Sequence, residues 1–226
     1  MAQQRSLNHF TLLKFRPAYW QLDPAAREGL LQQVVDALAG AAPRRYLYQV
    51  FPSRHEADLL LWCAVPYENT ETPARFFTGF ARAFEPLHPY AEVPLTLWGV
   101  TKPSIYAKGR SPQEIDPFGE TRKRYLIVYP FVKTADWYLM SRDARQGMMN
   151  EHIRVGRQYP EILQLLLYSF GVQDQEFVVV YETDDIVQFS DLVQDLRSTE
   201  ARKFTLRDTP IITAVSNGQT AVGSEQ

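Results

Sequence analysis

Two stretches in the second half of this 226-residue chain carry residue types whose spacing could do chemistry. One is GMMNEHIRVGRQYP, in which His152 stands among Met148, Met149 and Val155 on an apolar helix face. An imidazole so placed is a candidate axial ligand for porphyrin iron, because the macrocycle supplies the remaining donors. The alternative is a satisfied core or surface histidine. The other is YPFVKTADWY, which offers Tyr129 as a redox-active phenol, Lys133 as a cation for a carboxylate and Trp137 as a packing neighbour. The plain alternative is a strand aromatic and a turn lysine. His9, His55 and His88 are scattered, without the close His/carboxylate spacing of a protein-only metal site. G-x-G-x-x-G, Walker and G-x-S-x-G motifs are absent from the sequence.

Composition bounds the rest. With 45% hydrophobic residues the chain can bury a substantial core, as one large domain or two small ones fused. A net charge of −2 argues against a general nucleic-acid binder, which needs a basic face. Cys63 is the sole cysteine, so there is no intramolecular disulfide or cysteine cluster, and within LLLWCAV it reads as a core thiol. No apolar run is long enough to span a bilayer, and MAQQRSLNHF lacks the apolar stretch of a signal peptide, so a cytoplasmic location is expected.

An internal repeat supplies the elements that must position these residues. FRPAYWQLDPAAREGLL (from Phe15) parallels FVKTADWYLMSRDARQGMM (from Phe131), matching Trp20 to Trp137 and Arg27 to Arg145. HEADLLLWCAV (from His55) parallels QDQEFVVVYET (from Gln173), and FFTGFARAF (from Phe76) parallels FSDLVQDLR (from Phe189). In the first copy HFTLLKF, RYLYQVF, ADLLLWCAV and VPLTLWGV read as strands. Asp23-Pro24 caps and opens a first helix with a stripe of Leu30, Leu31, Val34, Val35 and Leu38, and TPARFFTGFARAF is a second. The second copy repeats the pattern, with Ser141 as helix cap. The expectation is an α+β fold of two tandem ferredoxin-like (βαββαβ) repeats forming a dimeric α+β barrel within one chain. The repeats span 1–101 and 125–215, the second carrying the site. Residues 102–124 join them, with six Lys/Arg against three Asp/Glu, as a solvated linker or a binding segment. Residues 216–226 are expected to be a flexible tail. At the local offset His152 replaces Val34 of the first copy, and Tyr129 and Lys133 replace inert positions near Leu13 and Pro17.

The stretches RYLIVYPFVKTADWYLM, MMNEHIRVGRQYP, SFGVQDQEFVVVYETDD and TLRDTP together resemble the chlorite dismutase-like family, which includes chlorite dismutases and the coproheme decarboxylases of bacterial haem synthesis. The likeness is close over 121–214 and looser over 9–101. It implies a duplicated ferredoxin-like barrel, often a pentamer, holding haem (haem b or coproheme) in the C-terminal half with His152 as the proximal iron ligand. Glu200 in STEARKF, with Glu182 as fallback, is the expected carboxylate on the second imidazole nitrogen. Chlorite dismutases carry a distal arginine on the strand after the proximal histidine. No arginine occurs between Arg157 and Arg197, which argues against chlorite dismutation. Coproheme decarboxylases have glutamine there, and the count falls on Gln164 or Leu165. They also use a Tyr-Pro tyrosine with a lysine four residues on, matched by Tyr129-Pro130 and Lys133; with hydrogen peroxide the tyrosine is oxidised and attacks a propionate. Lys133, Arg202, Lys203 and Arg110 are the candidate cations for propionates.

The resemblance therefore implies a peroxide-dependent porphyrin-iron oxidoreductase of the coproheme decarboxylase type. The alternatives are a haem b protein with weak peroxidase activity or a part in haem sensing or delivery, and a cofactor-less barrel serving as an assembly module.

Overall fold

The computed structural model describes residues 5–106, 109 and 111–216. They form an α+β fold whose ladders within each of two compact units are antiparallel. One unit comprises residues 5–101 with 213–216, the other residues 102–212. Arg110 and residues 217–226 of the expected tail lie outside the described residues.

The first unit runs β1 (Ser6–Phe15), α1 (Pro17–Trp20), α2 (Pro24–Ala37), β2 (Arg44–Gln49), β3 (Leu59–Pro66), α3 (Thr72–Phe84) and β4 (Ala91–Thr101). Its strands pair in the order β4–β1–β3–β2. Asp23 caps α2 by accepting from the Ala26 N–H, with Pro24 in the first turn. Beneath α2 and α3 lies a cluster of fifteen buried residues, including Val34, Leu38, Phe76 and Leu87. The end of β9 (Ile212–Ser216) pairs with β2, Val215 opposite Gln49 and Ser216 opposite Tyr48. That pairing is why residues 213–215, placed by the sequence in the second repeat, and Ser216, placed in the tail, cluster with the first unit.

His9 sits in this core at 5% exposure, its Nδ1 3.1 Å from Thr11 Oγ1 and its ring beside Phe76, Phe77 and Phe80. Burial pushes its pKa down from 6.5 to about 4. Below pH 6.5 the unfolded chain takes up a proton that the native state refuses, so stability falls with pH and the loss is complete near pH 4. The full loss from this one group is about 3 kcal/mol. Urea unfolding at pH 7 and pH 4.5 is expected to show it, and His9→Leu to flatten the decline. An equal decline in the variant would remove His9 as the cause.

The second unit runs β5 (Tyr125–Lys133), α4 (Ala135–Leu139), α5 (Arg142–Gly156), β6 (Leu163–Tyr168), β7 (Phe177–Thr183), α6 (Ile186–Arg197), a 3-10 turn (Glu200–Phe204) and β8 (Thr205–Arg207). The strand order is β6–β7–β5–β8. Gly171, in the turn between β6 and β7, adopts φ +69, the left-handed region that glycine enters without strain, and so lets that turn close. The short α4, the 3-10 turn and β8 carry no periodicity that the sequence could reveal.

The segment joining the repeats is not a free linker. Ile115 is 1% exposed, its N–H donates to the Gln164 carbonyl, and the Gln164 N–H donates to the Gln113 carbonyl. The Gln113 amide nitrogen lies within hydrogen-bond distance of the carbonyls of Gly156, Tyr159 and Ile162, tying this segment to the chain that follows α5. Arg122 pairs with Glu182 at 3.3 Å, both side chains buried.

Candidate functional site

Helix α5 forms because Ser141 caps it, accepting from the Ala144 N–H, with Asp143 in the first turn and Arg154 in the last, where each charge suits the helix dipole. Yet only Val155 of its fifteen residues is buried. Met148, Met149 and His152 are all half-buried on it, and Met148 lies one helical turn before His152 on the same stripe. The small cluster beneath α6 has five buried residues and none of them comes from α5.

His152 Nδ1 is buried and has no hydrogen-bond partner among the described residues. Burial, then the charge of Lys133, push the imidazole down to about 4, opposed by Glu151. It is therefore a neutral ring at physiological pH. Lys133, at the end of β5, donates through Nζ to the Ala201 carbonyl at 3.2 Å, and that ammonium lies 4.2 Å from the Trp137 ring centre. Burial and Arg202 hold its pKa at about 8, with Glu176 opposing. Trp137 is 3% exposed, packed against Phe204 and Tyr106. The Tyr106 carbonyl accepts from Gln146 of α5.

The 3-10 turn ties these pieces together. Its Glu200 N–H donates to Glu151 beside His152, and its Ala201 carbonyl holds Lys133. The Glu200 carboxylate does not reach the imidazole: both its oxygens accept from Lys203, at 2.8 and 3.0 Å. Glu182 is not the alternative, because it projects to the sheet face opposite Tyr181 and pairs with Arg122. Burial, partly offset by Arg122, raises its carboxyl to about 7. Two of the expected cations are similarly engaged. Lys203 is on Glu200, and Arg202 donates to Asp208 at 2.6 Å, a carboxylate that also meets Arg197 at 3.4 Å.

Tyr129 lies on the helix-covered face of β5, in the cluster with Ile127, Tyr181 and Phe189. Its ring lies 6.3 Å from that of Tyr181, and burial holds its pKa well above the usual phenol range. Asp208 and Arg197 also act on it. The ladder register equates Tyr129 with Thr11 rather than with a position near Leu13: Tyr129 faces Val179, whose match in the first copy is Leu61, and Leu61 faces Thr11. On β6 the structure separates the two distal candidates. Gln164 is exposed and stands directly opposite Tyr181, on the face that carries Tyr129. Leu165 is 3% exposed on the other face, opposite Val180. Asp208, Glu176, Tyr181 and Gln113 were not singled out from sequence. Tyr181 had a legible signal, since it replaces Cys63 in the duplication.

The sequence matches the chlorite dismutase family over residues 25–217. This chain belongs to the chlorite dismutase family. Within that family it is 30% identical to the coproheme decarboxylase of Mycolicibacterium smegmatis over 173 residues, 75% of this chain and 71% of that protein. It is 23% identical to the chlorite dismutase of Ideonella dechloratans, over 88% of this chain and 71% of that one. Of these two relatives the chain is the more similar to the coproheme decarboxylase. Among solved family structures, a putative chlorite dismutase superposes with TM-score 0.76 at 25% identity, covering 94% of this chain and 95% of its own. The chlorite dismutase of Candidatus Nitrospira defluvii in complex with imidazole gives 0.77 at 20% identity, over 92% and 90% of the two chains, a likeness of fold.

Proposed function

We propose that this chain binds an iron porphyrin in its second unit through His152 and acts as a peroxide-dependent oxidoreductase of the coproheme decarboxylase type. The observation that carries the reading is the buried Nδ1 of a neutral imidazole, unpartnered among the described residues, on a helix of which Val155 alone is fully buried. A buried polar atom without a partner costs about 1–3 kcal/mol, and a ligand that engages the ring offsets that cost. Among the described residues no group of three His, Cys, Asp or Glu could hold a metal alone. A single imidazole fits a metal whose other donors come from a macrocycle.

A bound iron porphyrin supplies the one-electron and peroxide chemistry. The chain's own residues bind and orient. His152 would ligate the iron, with Met148 and Trp137 as apolar walls. Lys133 would meet a propionate, its ammonium being held by a carbonyl and a ring face rather than by a carboxylate. Tyr129 would present its phenol to a propionate and Gln164 its amide to the open side. Each unit reads as a ferredoxin-like repeat, and the assembly as a cytoplasmic homo-oligomer, a pentamer by family likeness.

Titration of the purified chain with coproheme and then hydrogen peroxide tests the proposal. The expected result is a Soret shift on binding and a product lighter by two carboxyl groups. No Soret shift would overturn it. One observation favours a second reading, a haem b protein with weak peroxidase activity: Arg202 and Lys203, two of the cations expected to meet the four propionates of coproheme, are already paired with Asp208 and Glu200. That reading predicts a Soret band which peroxide bleaches without loss of carboxyl groups.

A further inference from the structure

The geometry points to Gln113 as a positioning residue, a single side chain that ties the end of helix α5, which carries His152, to strand β6, which carries Gln164. This role rests on the proposal that His152 and Gln164 serve one bound iron porphyrin.

Gln113 is engaged through both its main chain and its side chain. Its carbonyl accepts from the Gln164 N–H at 2.7 Å, and two residues on the Ile115 N–H donates to the Gln164 carbonyl at 3.0 Å. Residues 113–115 thus lie alongside β6 as a short parallel bridge, and both main-chain groups of Gln164 bond them. The side-chain nitrogen of Gln113 lies 2.8 Å from the Tyr159 carbonyl, 3.1 Å from that of Ile162 and 3.3 Å from that of Gly156. Gly156 is the last residue of α5, about one helical turn after His152. Tyr159 and Ile162 bound the turn that leads into β6, the Ile162 N–H donating to the Tyr159 carbonyl. The same joining segment also meets α5 nearer its start, where Gln146 donates to the Tyr106 carbonyl at 3.0 Å.

The amide is the part of this residue that matters. It offers two N–H groups on one nitrogen, and three carbonyls converge there. A methionine has a similar length and no donor. It would keep the main-chain bonds to β6 and lose the tie to α5. Groups that act together on one ligand must be held to about 0.5 Å by the contacts behind them. Gln113 supplies such a contact to the proposed iron ligand and the proposed distal residue at once.

The test uses the full chain with Gln113→Met, which removes the donors, and Gln113→Lys, whose ammonium offers three donors to the three carbonyls. In the wild-type apo-protein the Gln113 side-chain amide protons are expected to exchange about tenfold more slowly than those of an exposed glutamine, read by NMR. With ferrous coproheme, Gln113→Met is expected to shift or broaden the iron–histidine Raman band and to raise the Kd for coproheme about tenfold, while Gln113→Lys keeps the wild-type values. A residue that merely steadied the segment would lower the thermal midpoint and leave band and Kd alone. That result in a folded Gln113→Met would overturn the role of Gln113, and so would equal losses in both variants. Fast exchange of the side-chain amide in the wild type would overturn it even where Gln113→Met does not fold. No Soret shift in the wild type would instead sink the proposed function, and the role of Gln113 toward a porphyrin with it.

Discussion

His152→Ala is expected to lose coproheme and haem b binding on the order of 100-fold in Kd, about 3 kcal/mol, and to remove the Soret shift seen with the parent chain. The size follows from what the ring is. It is neutral at physiological pH, so no proton has to leave before it ligates, and its buried nitrogen has no competing partner in the described residues. Alanine should not cost much stability, because His152 is half-buried and α5 contributes no buried residue to the cluster beneath α6. Far-UV circular dichroism and the thermal midpoint of the apo-variant check that separation. A variant that retains the wild-type Soret band would show that another group ligates the iron.

Tyr129→Phe is expected to reverse that pattern. Coproheme should bind within about twofold of wild type, since the phenylalanine ring keeps the same packing. Conversion to haem b should fall by about 1000-fold, equivalent to about 4 kcal/mol in the barrier. The two readouts separate a reactive phenol from a wall of the pocket, which would shift affinity and rate together. Turnover at the parent rate in the variant would end the assignment. Lys133 belongs to the same strand, four residues on, but its neighbours include Ala201 and Trp137, and on the proposed function its removal is expected to weaken coproheme binding rather than to abolish conversion.

What the sequence made legible is what local chemistry writes into it. Asp23-Pro24 and Ser141 announce helix starts because capping needs a short acceptor at the first open N–H groups, and both accept as read. His152 stood out because the duplication supplies Val34 as its own control, a residue 3% exposed where His152 is half-buried. Partner choice was not legible. Which cation a carboxylate takes depends on distances across elements, so Glu200 reads equally well as a partner of His152 or of Lys203, and only the 3-10 turn decides for Lys203. The choice between Gln164 and Leu165 likewise hangs on a single residue of register, which in a strand reverses the face of every side chain. Gln113 lay in a run without periodicity, and its three carbonyl partners are contributed by chain more than forty residues away.

The buried Nδ1 of His152, without a partner among the described residues, leaves the folded chain carrying an unsatisfied polar atom. By mass action, a molecule that binds only the folded chain stabilises it. On the proposed function, saturating iron porphyrin is therefore expected to raise the thermal midpoint of this chain, and its supply in the cell would govern how long the chain survives as well as how fast it works.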